Sequence, residues 1–467
     1  MQSKVTRNIK PPPRITKHPS GSLRELFFLS FPMILSTFSA SLLGWADRYF
    51  LSLYDVSAWK AVTAASNITF PFQVVLIMLA LVTQGFIGHY KGARQPKMIG
   101  PFIWQMIYFS FLSMLITYPL SLISEHYFYG IESESNALVY LRYLSIANFL
   151  YPLGATLAAF YLGRGKTKVV FTANLIIQGS NILLNYLLIF GVKSFIPSLG
   201  VKGAALGTIV SQTLYCLILF SLFLKKKYRL EFGTHNRKIN FPLMWEGLLT
   251  GIPRALGRLI LTGAWAFASY FIIQKGGDYF LVYSFYVTVF GFLLFLTEGM
   301  GQALVTLTSY SLGASMDEIF HKILKTSLQF ILIIALVLGI PLLFFQDTII
   351  HFMIKEPLNP STLLLLRETC FWIWISCIVS GISRIGVGFM TAARDTLFYA
   401  LCVSIILITF CVPTYVGITY YSWSPTKIFM FDSINTLITG TIFIIRFLRS
   451  PYRKLRATLP TATIPES

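Results

Sequence analysis

The chain alternates long apolar runs with short polar connectors rich in lysine and arginine. A helix that crosses a bilayer needs about 20 mostly apolar residues. Runs of that kind lie at 23–52, 61–88, 99–123, 137–162, 169–192, 203–224, 243–273, 279–311, 326–346, 369–392, 397–424 and 426–448. They predict an all-α membrane protein with twelve transmembrane helices. Two tails and eleven short connections remain, too short for a folded domain outside the membrane. Residues 1–22, which include Pro11-Pro12-Pro13, read as a disordered basic tail, and 449–467 as a second tail. A cleaved leader is not expected, because the first run is too long and no small-residue cleavage site closes it.

Composition sharpens this picture. Of 467 residues, 55% are hydrophobic, 16% aromatic and only 12% charged, with a mean hydropathy of +0.67. Soluble domains carry about a quarter charged residues, so most of this apolar surface must face lipid. The formal net charge of +20 would raise nucleic acid as a partner in a soluble protein. Here the charges sit between apolar runs, and they report topology instead. With the N-terminus in the cytosol, the inner segments hold 26 Lys and Arg and the outer segments 8. Both termini are therefore expected in the cytosol and the protein in the cell membrane, inner or plasma, as a multi-pass monomer. Its partners are a small-molecule substrate and the lipid bilayer, with no nucleic acid. Cys216, Cys370, Cys377, Cys402 and Cys411 lie inside apolar runs without a CxxC pair, and the six histidines are single, so no metal and no cofactor is expected.

The two halves repeat. Pro32 opens the first run and Gly92 follows the second; Pro253 opens the seventh and Gly313 follows the eighth, with 60 residues between them in each half. At the same offset of 221, Leu35 matches Leu256 and Phe50 matches Phe271. Six helices plus six in one orientation make a parallel repeat about an axis along the membrane normal. The expected division is an N-lobe over 23–224, an inter-lobe cytosolic loop over 225–242 and a C-lobe over 243–448, with substrate held between the lobes.

Several segments resemble the multidrug and toxic-compound extrusion (MATE) transporters. They are ELFFLSFPMILSTFSASLLGWADRYFLS (25–52), GFIGHYKGA (85–93), NILLNY (181–186), GVKGAALGTIVSQ (200–212), GIPRALGRLILTGAW (251–265) and GQALVTLTSYSLGA (301–314). Their spread over both halves extends the resemblance to nearly the whole chain. The resemblance implies a two-lobe exporter that works by alternating access on a proton or sodium gradient.

Ionisable groups inside spans are costly and mark function by default. The deep ones are Asp47, Arg48, Arg254, Arg258, Glu298, Arg384 and Asp432. Asp47 stands at the family's N-lobe carboxylate. In a poorly hydrated cavity it can exchange a proton, or it can ligate sodium with neighbouring oxygens; the plain alternative is a carboxylate at the outer interface. The resemblance adds Asn181 and Asn185, which share a helix face at i, i+4, and Thr208 beside them. Family members with a sodium site usually carry an acid where this chain has Asn185. Glu298 is the strongest signal from the residues alone, a single acid in FLLFLTEGMGQ. It either supplies the C-lobe charge for coupling or serves as structural partner to an arginine. Some branches of the family use an acid in span 7, and LILTGAWAFA has none.

Arg254 and Arg258, at i, i+4 on span 7, and Arg384 on span 10 either snorkel towards headgroups, pair with Glu298, or bind an anionic group in the C-lobe cavity. Pro32 and Pro253 each remove a helical hydrogen bond and are hinge candidates, although proline is common in membrane helices generally. GRGKT (163–167) imitates a phosphate loop but lacks the earlier glycine, Phe160 standing there, and lacks a preceding strand.

The expected function is secondary active antiport, exporting amphipathic and preferentially cationic compounds in exchange for protons or sodium. The alternative is a flippase or exporter of a lipid-linked or anionic precursor that uses the C-lobe arginines. An enzyme is not expected, since GxSxG, HExxH and a deep histidine base are all missing from the sequence.

Overall fold

The computed structural model describes residues 15–128, 134–192 and 195–449, and among them helices carry the whole architecture. Eleven helices are long and apolar enough to span a membrane, and a bent pair makes a twelfth: Leu23–Tyr54, Val56–Gly92, Pro96–Ser124, the bent pair Asn136–Ile146 and Leu150–Leu162, Thr167–Phe190, Val201–Phe223, Phe241–Lys275, Gly277–Gly313, Ile319–Phe344, Pro360–Ala392, Thr396–Thr419 and Pro425–Arg449. They are spans 1 to 12 below. Span 4 bends by 42° at its break, and span 9 ends in a wide π turn, Ile340–Phe344, that contains Pro341. Neither feature shows in the apolar pattern. Helices run through Pro32 in span 1 and Pro253 in span 7.

Of the first tail, residues 1–14 lie outside the described residues, as do 450–467 of the second. Residues 15–22, expected to be disordered, are packed instead. Ser22 caps span 1 by accepting from the Glu25 backbone N–H. The Glu25 carboxylate in turn accepts from the Gly21 N–H at 2.7 Å and the Thr16 hydroxyl at 3.1 Å. Ser22 followed by Glu25 is the residue spacing of a capped helix start. The 225–242 segment, expected as a loop, contains the short helix Lys226–Phe232. That helix is pinned by Arg164 of the GRGKT segment, whose guanidinium lies 3.7 Å from the Phe160 ring centre, 4.5 Å from Tyr228 and 4.6 Å from Phe232. The phosphate-loop imitation is a cation–π staple.

One turn occurs four times. Arg94, Gly165, Ser315 and Arg394 have φ of 60°, 76°, 61° and 61°. In each case the positive-φ N–H bonds three residues back and the next N–H five back, as in Lys166 N–H to the Tyr161 carbonyl and Asp395 N–H to the Met390 carbonyl. This left-handed cap satisfies carbonyls that a helix end leaves open. Arg94 and Ser315 are separated by the repeat offset, so the repeat is visible in the backbone as well as in the letters.

These turns lie at one end of the bundle, which we call the termini face. Gly21 lies against Ile319 there, and Phe320 stacks edge-on to Phe447 at 5.1 Å. The lobes meet tightly at this end. Gln84 donates to the Gln302 carbonyl at 2.7 Å and to the Thr306 hydroxyl at 2.8 Å, and Thr306 donates to the Leu162 carbonyl at 2.9 Å. Gly88 faces Ser309. Small residues let membrane helices approach this closely, and buried polar side chains then bond across the gap. Deeper, Gly299 of span 8 lies against the backbone of Ile34, and Thr37 donates to the Phe295 carbonyl at 3.1 Å. Towards the opposite end, Gly44, Gly263 and Gly291 have no neighbouring atom within 4 Å of a side-chain position.

Candidate functional site

A cavity of about 430 Å³ opens within the C-lobe, with span 2 of the N-lobe as one wall. Five spans of the C-lobe contribute. Span 7 supplies Arg254, Arg258 and Trp265, span 8 Phe290 and Glu298, span 10 Arg384, span 11 Tyr399 and Phe410, and span 12 Asp432. Phe70, Met78 and Leu81 form the N-lobe wall. Glu298 Oε1 is 2.5 Å from Arg384 Nη2 and 3.8 Å from Arg258 Nη1. Glu298 leaves about a third of its side chain exposed and Arg384 a fifth. The ion pair is therefore accessible from the cavity. Arg254, one turn before Arg258, forms no ion pair among the described residues, although Tyr399 and Glu298 lie within its electrostatic reach. Asp432 lines the same cavity near Tyr286.

The three arginines and Glu298, spread over spans 7, 8 and 10 in sequence, thus share one space. Arg258 and Arg384 point into it and not to the headgroups. The i, i+4 spacing puts Arg254 on the same face of span 7.

The second polar site is in the N-lobe. Asn185 donates to Asp47 Oδ1 at 2.6 Å and to Asn181 Oδ1 at 3.0 Å through the same amide nitrogen. Both asparagines are buried and Asp47 is half-buried. Arg48 is exposed and faces away, as adjacent helical residues must. Thr208 does not join this set, because its hydroxyl donates to the Ala204 carbonyl of its own helix at 3.0 Å. The neighbouring residue matters more. A side chain at Gly207 would meet Asn185 Oδ1 at 2.0 Å, so only glycine leaves room for the Asp47–Asn185 pair. Tyr140 and Tyr151 stand within electrostatic reach of Asp47, beside Ser66 and Gln73 respectively. Nothing in the spacing of those tyrosines announced them. Gly207 sits inside the GVKGAALGT segment, which was the available signal. Among the described residues no cluster of three metal-ligating side chains occurs.

Known proteins share parts of this sequence and the whole of this fold. Residues 32–187 match the MatE family model. A probable multidrug resistance protein NorM of Thermotoga maritima is 26% identical over 345 residues, 72% of this chain and 73% of that protein. The uncharacterized transporter YisQ of Bacillus subtilis is 25% identical over 355 residues, 73% of this chain and 76% of that one. Among solved structures, a MATE in the straight conformation superposes with a TM-score of 0.80 at 18% identity, covering 94% of this chain and 98% of that one. The chain carries a MatE domain and has the MATE transporter fold. A MOP superfamily transporter from Pyrococcus furiosus, described as having a binding pocket of reverse polarity, superposes with a TM-score of 0.76 at 17% identity, covering 95% of this chain and all of that one. The MATE resemblance read from the six quoted segments is borne out, together with an all-α fold of eleven candidate spans and a bent pair that makes a twelfth. The family-model match and the relatives, together with the long apolar helices, support a multi-pass membrane protein.

Proposed function

We propose that the protein is a secondary active exporter of small amphipathic organic compounds, a reading supported by relatives named multidrug resistance proteins. It works by alternating access and takes up a counter-ion, proton or sodium, at Asp47. The observation that carries this reading is the pair of separate polar sites, one per lobe. Asp47 with Asn185 lies in the N-lobe, Glu298 with the arginines in the C-lobe, and tight lobe contacts lie at the termini face. In the proposed orientation the termini face is cytosolic, both tails are inside, and the arrangement described here is open outward. The 26 to 8 distribution of Lys and Arg supports that orientation. The protein acts as a monomer in the bilayer, without nucleic acid or cofactor. Pro32 and Pro253 are the proposed hinges, and the two lobes the moving bodies.

Coupling requires a ligand that prefers one arrangement; equal affinity for both moves nothing. Protonation of Asp47 would remove the charge that Asn185 holds and so favour one packing of spans 1 and 5. Protons suit the site better than sodium, because Asn185 supplies a neutral amide where a sodium cage gains from a second carboxylate. Thr208 enters such a site only if its hydroxyl leaves Ala204. The test is efflux from proteoliposomes under separately imposed pH and sodium gradients. A pH gradient alone should drive export, and Asp47→Asn and Glu298→Gln should abolish it while the protein still purifies folded. Export driven by sodium alone, with no response to pH, would overturn the proton reading; export undiminished in Asp47→Asn would overturn the coupling site.

A further inference from the structure

We infer that the C-lobe cavity takes amphipathic organic anions, molecules with one carboxylate, sulfonate or phosphate on an aromatic or aliphatic body, and that Arg254 receives the anionic group. This inference rests on the proposed export function and names the compounds that the same cavity would carry. It departs from the cationic preference expected of the sequence.

The charge inventory of the cavity comes first. The charged groups lining it are Arg254, Arg258, Arg384, Glu298 and Asp432. Glu298 is already engaged with Arg384 at 2.5 Å and Arg258 at 3.8 Å. Asp432 lies near the other end of span 12, close to Tyr286. Among the described residues Arg254 forms no ion pair of its own, and Glu298 acts on it only at longer range. Arginine cannot shed its proton, and a half-buried guanidinium beside apolar walls is costly until an anion meets it. Its planar fork is matched to carboxylate and phosphate oxygens, and Arg258 one turn away adds a second positive charge. A cation seated beside Arg254 would meet the charge of Arg258 and Arg384 as well, with Asp432 the acid of this cavity that none of the three pairs with.

The walls account for the rest of the molecule. Trp265, Phe290 and Phe410 on the C-lobe and Phe70 and Met78 on span 2 form an apolar surround. A space of about 430 Å³ is of the size that binds drug-scale ligands. Because span 2 belongs to the other lobe, an anion seated on Arg254 with its body against Phe70 touches both moving halves.

The test uses the full-length protein in nanodiscs and two matched probes, a dansylated carboxylate and its trimethylammonium analogue, read by energy transfer from tryptophan. The carboxylate is expected to bind at least tenfold more tightly. Arg254→Gln and Arg258→Gln should each weaken it at least tenfold, and Arg254→Lys less. Glu298→Gln, which removes the acid competing for Arg258 and Arg384, should tighten it. Tighter binding of the ammonium probe, or carboxylate affinity unchanged in monodisperse Arg254→Gln protein, overturns the inference. Efflux assays separate it from the export reading. Carboxylate that binds but is not exported under either gradient removes the export function and leaves the anion site standing. Export of the ammonium probe alone removes the anion site and leaves export standing.

Discussion

Gly92 and Gly313 lie back to back across the lobe boundary, each aimed at the helix turn that carries the other. A side-chain carbon on Gly92 would fall 2.2 Å from the Tyr310 carbonyl oxygen, and one on Gly313 would fall 2.1 Å from that of His89. The two glycines are separated by the repeat offset of 221, and so are the carbonyls they face. The pseudo-symmetry axis therefore passes through this contact, and a single rule, no side chain here, lets both lobes close on the termini face.

Gly313→Ala and Gly92→Ala should force this seam apart. The obstructing atoms are backbone, which cannot rotate aside, and overpacking of this kind costs about 1–3 kcal/mol. Since 1.4 kcal/mol is a factor of ten in an equilibrium, the closed-to-open ratio should fall by about fivefold to a hundredfold. Spin labels at Lys97 and Lys325, in a background with the native cysteines replaced, would report longer distances in both variants. Gly44→Ala, placed where no atom lies within 4 Å, should leave the distances unchanged. An unaltered distribution in Gly313→Ala would mean that the seam does not hold the lobes closed.

The sequence showed the spans because a bilayer imposes long apolar runs on any helix that crosses it. It misplaced several ends for the same reason. The run at 61–88 is part of a helix from Val56 to Gly92, and the run at 326–346 begins at Ile319, with Lys60, Lys322 and Lys325 on helical turns that carry charge. Hydropathy marks the hydrocarbon and not the helix. Asp47, Asn181, Asn185 and Thr208 were all reached through family resemblance, with helical spacing added for the two asparagines; the Thr208 hydroxyl donates to its own backbone. The partnership of Glu298 with arginine was legible, since a lone acid in hydrocarbon needs a cation. That Arg254 would be the arginine left over was not, because both span 7 arginines share one face and only three-dimensional distances separate them. Gly207 and Phe86 lie inside two of the quoted segments, GVKGAALGT and GFIGHYKGA, but the letters do not say what they touch.

Phe86 supports a second prediction. Arg394, in the turn after span 10, pairs with Glu246 at 2.7 Å and lies 3.6 Å from the centre of the Phe86 ring, which belongs to span 2. One guanidinium thus joins its own lobe by charge and the other lobe by its face. Phe86→Leu removes only the second link and should weaken lobe closure by about 1 kcal/mol, within the range of a partly desolvated cation–π contact. Arg394→Gln removes both links and leaves Glu246 without its cation, so it should destabilise more. In a double-mutant cycle read by thermal unfolding, the two substitutions should show a coupling of about 1 kcal/mol. Full additivity would mean that the ring and the guanidinium are merely adjacent.

A third prediction concerns the other lobe site. Asn185 occupies its place only because Gly207 has no side chain. Gly207→Ala should displace the Asn185 amide from Asp47 while leaving the carboxylate itself in place. If the Asn185 hydrogen bond at 2.6 Å tunes proton exchange, the pH dependence of efflux should shift in Gly207→Ala and in Asn185→Ala by similar amounts. Loss of all transport in Asn185→Ala, with an unshifted profile in Gly207→Ala, would assign Asn185 to another task.

The last prediction is about stability against acid at the end of the bundle opposite the termini face. Glu125, just past span 3, accepts two hydrogen bonds of 2.8 Å from Arg142 Nε and Nη2. This paired guanidinium holds the Glu125 carboxyl below the usual carboxylate range. A group whose folded-state pKa is depressed binds its proton more readily when unfolded. Its stabilisation is therefore present in full above the unfolded value of about 4.3 and is lost as pH falls through the lower folded value. Glu125 is buried but Arg142 is half-exposed, so solvent screening keeps the contribution near about 1 kcal/mol. Thermal unfolding of Glu125→Gln against the parent protein should show a lower melting temperature at pH 7, and the gap should narrow steadily between pH 5 and pH 3. Other acids titrate in both proteins and cancel in that difference. A gap that stays constant down to pH 3 would mean that Glu125 contributes through packing, and that the ion pair with Arg142 adds nothing to the fold.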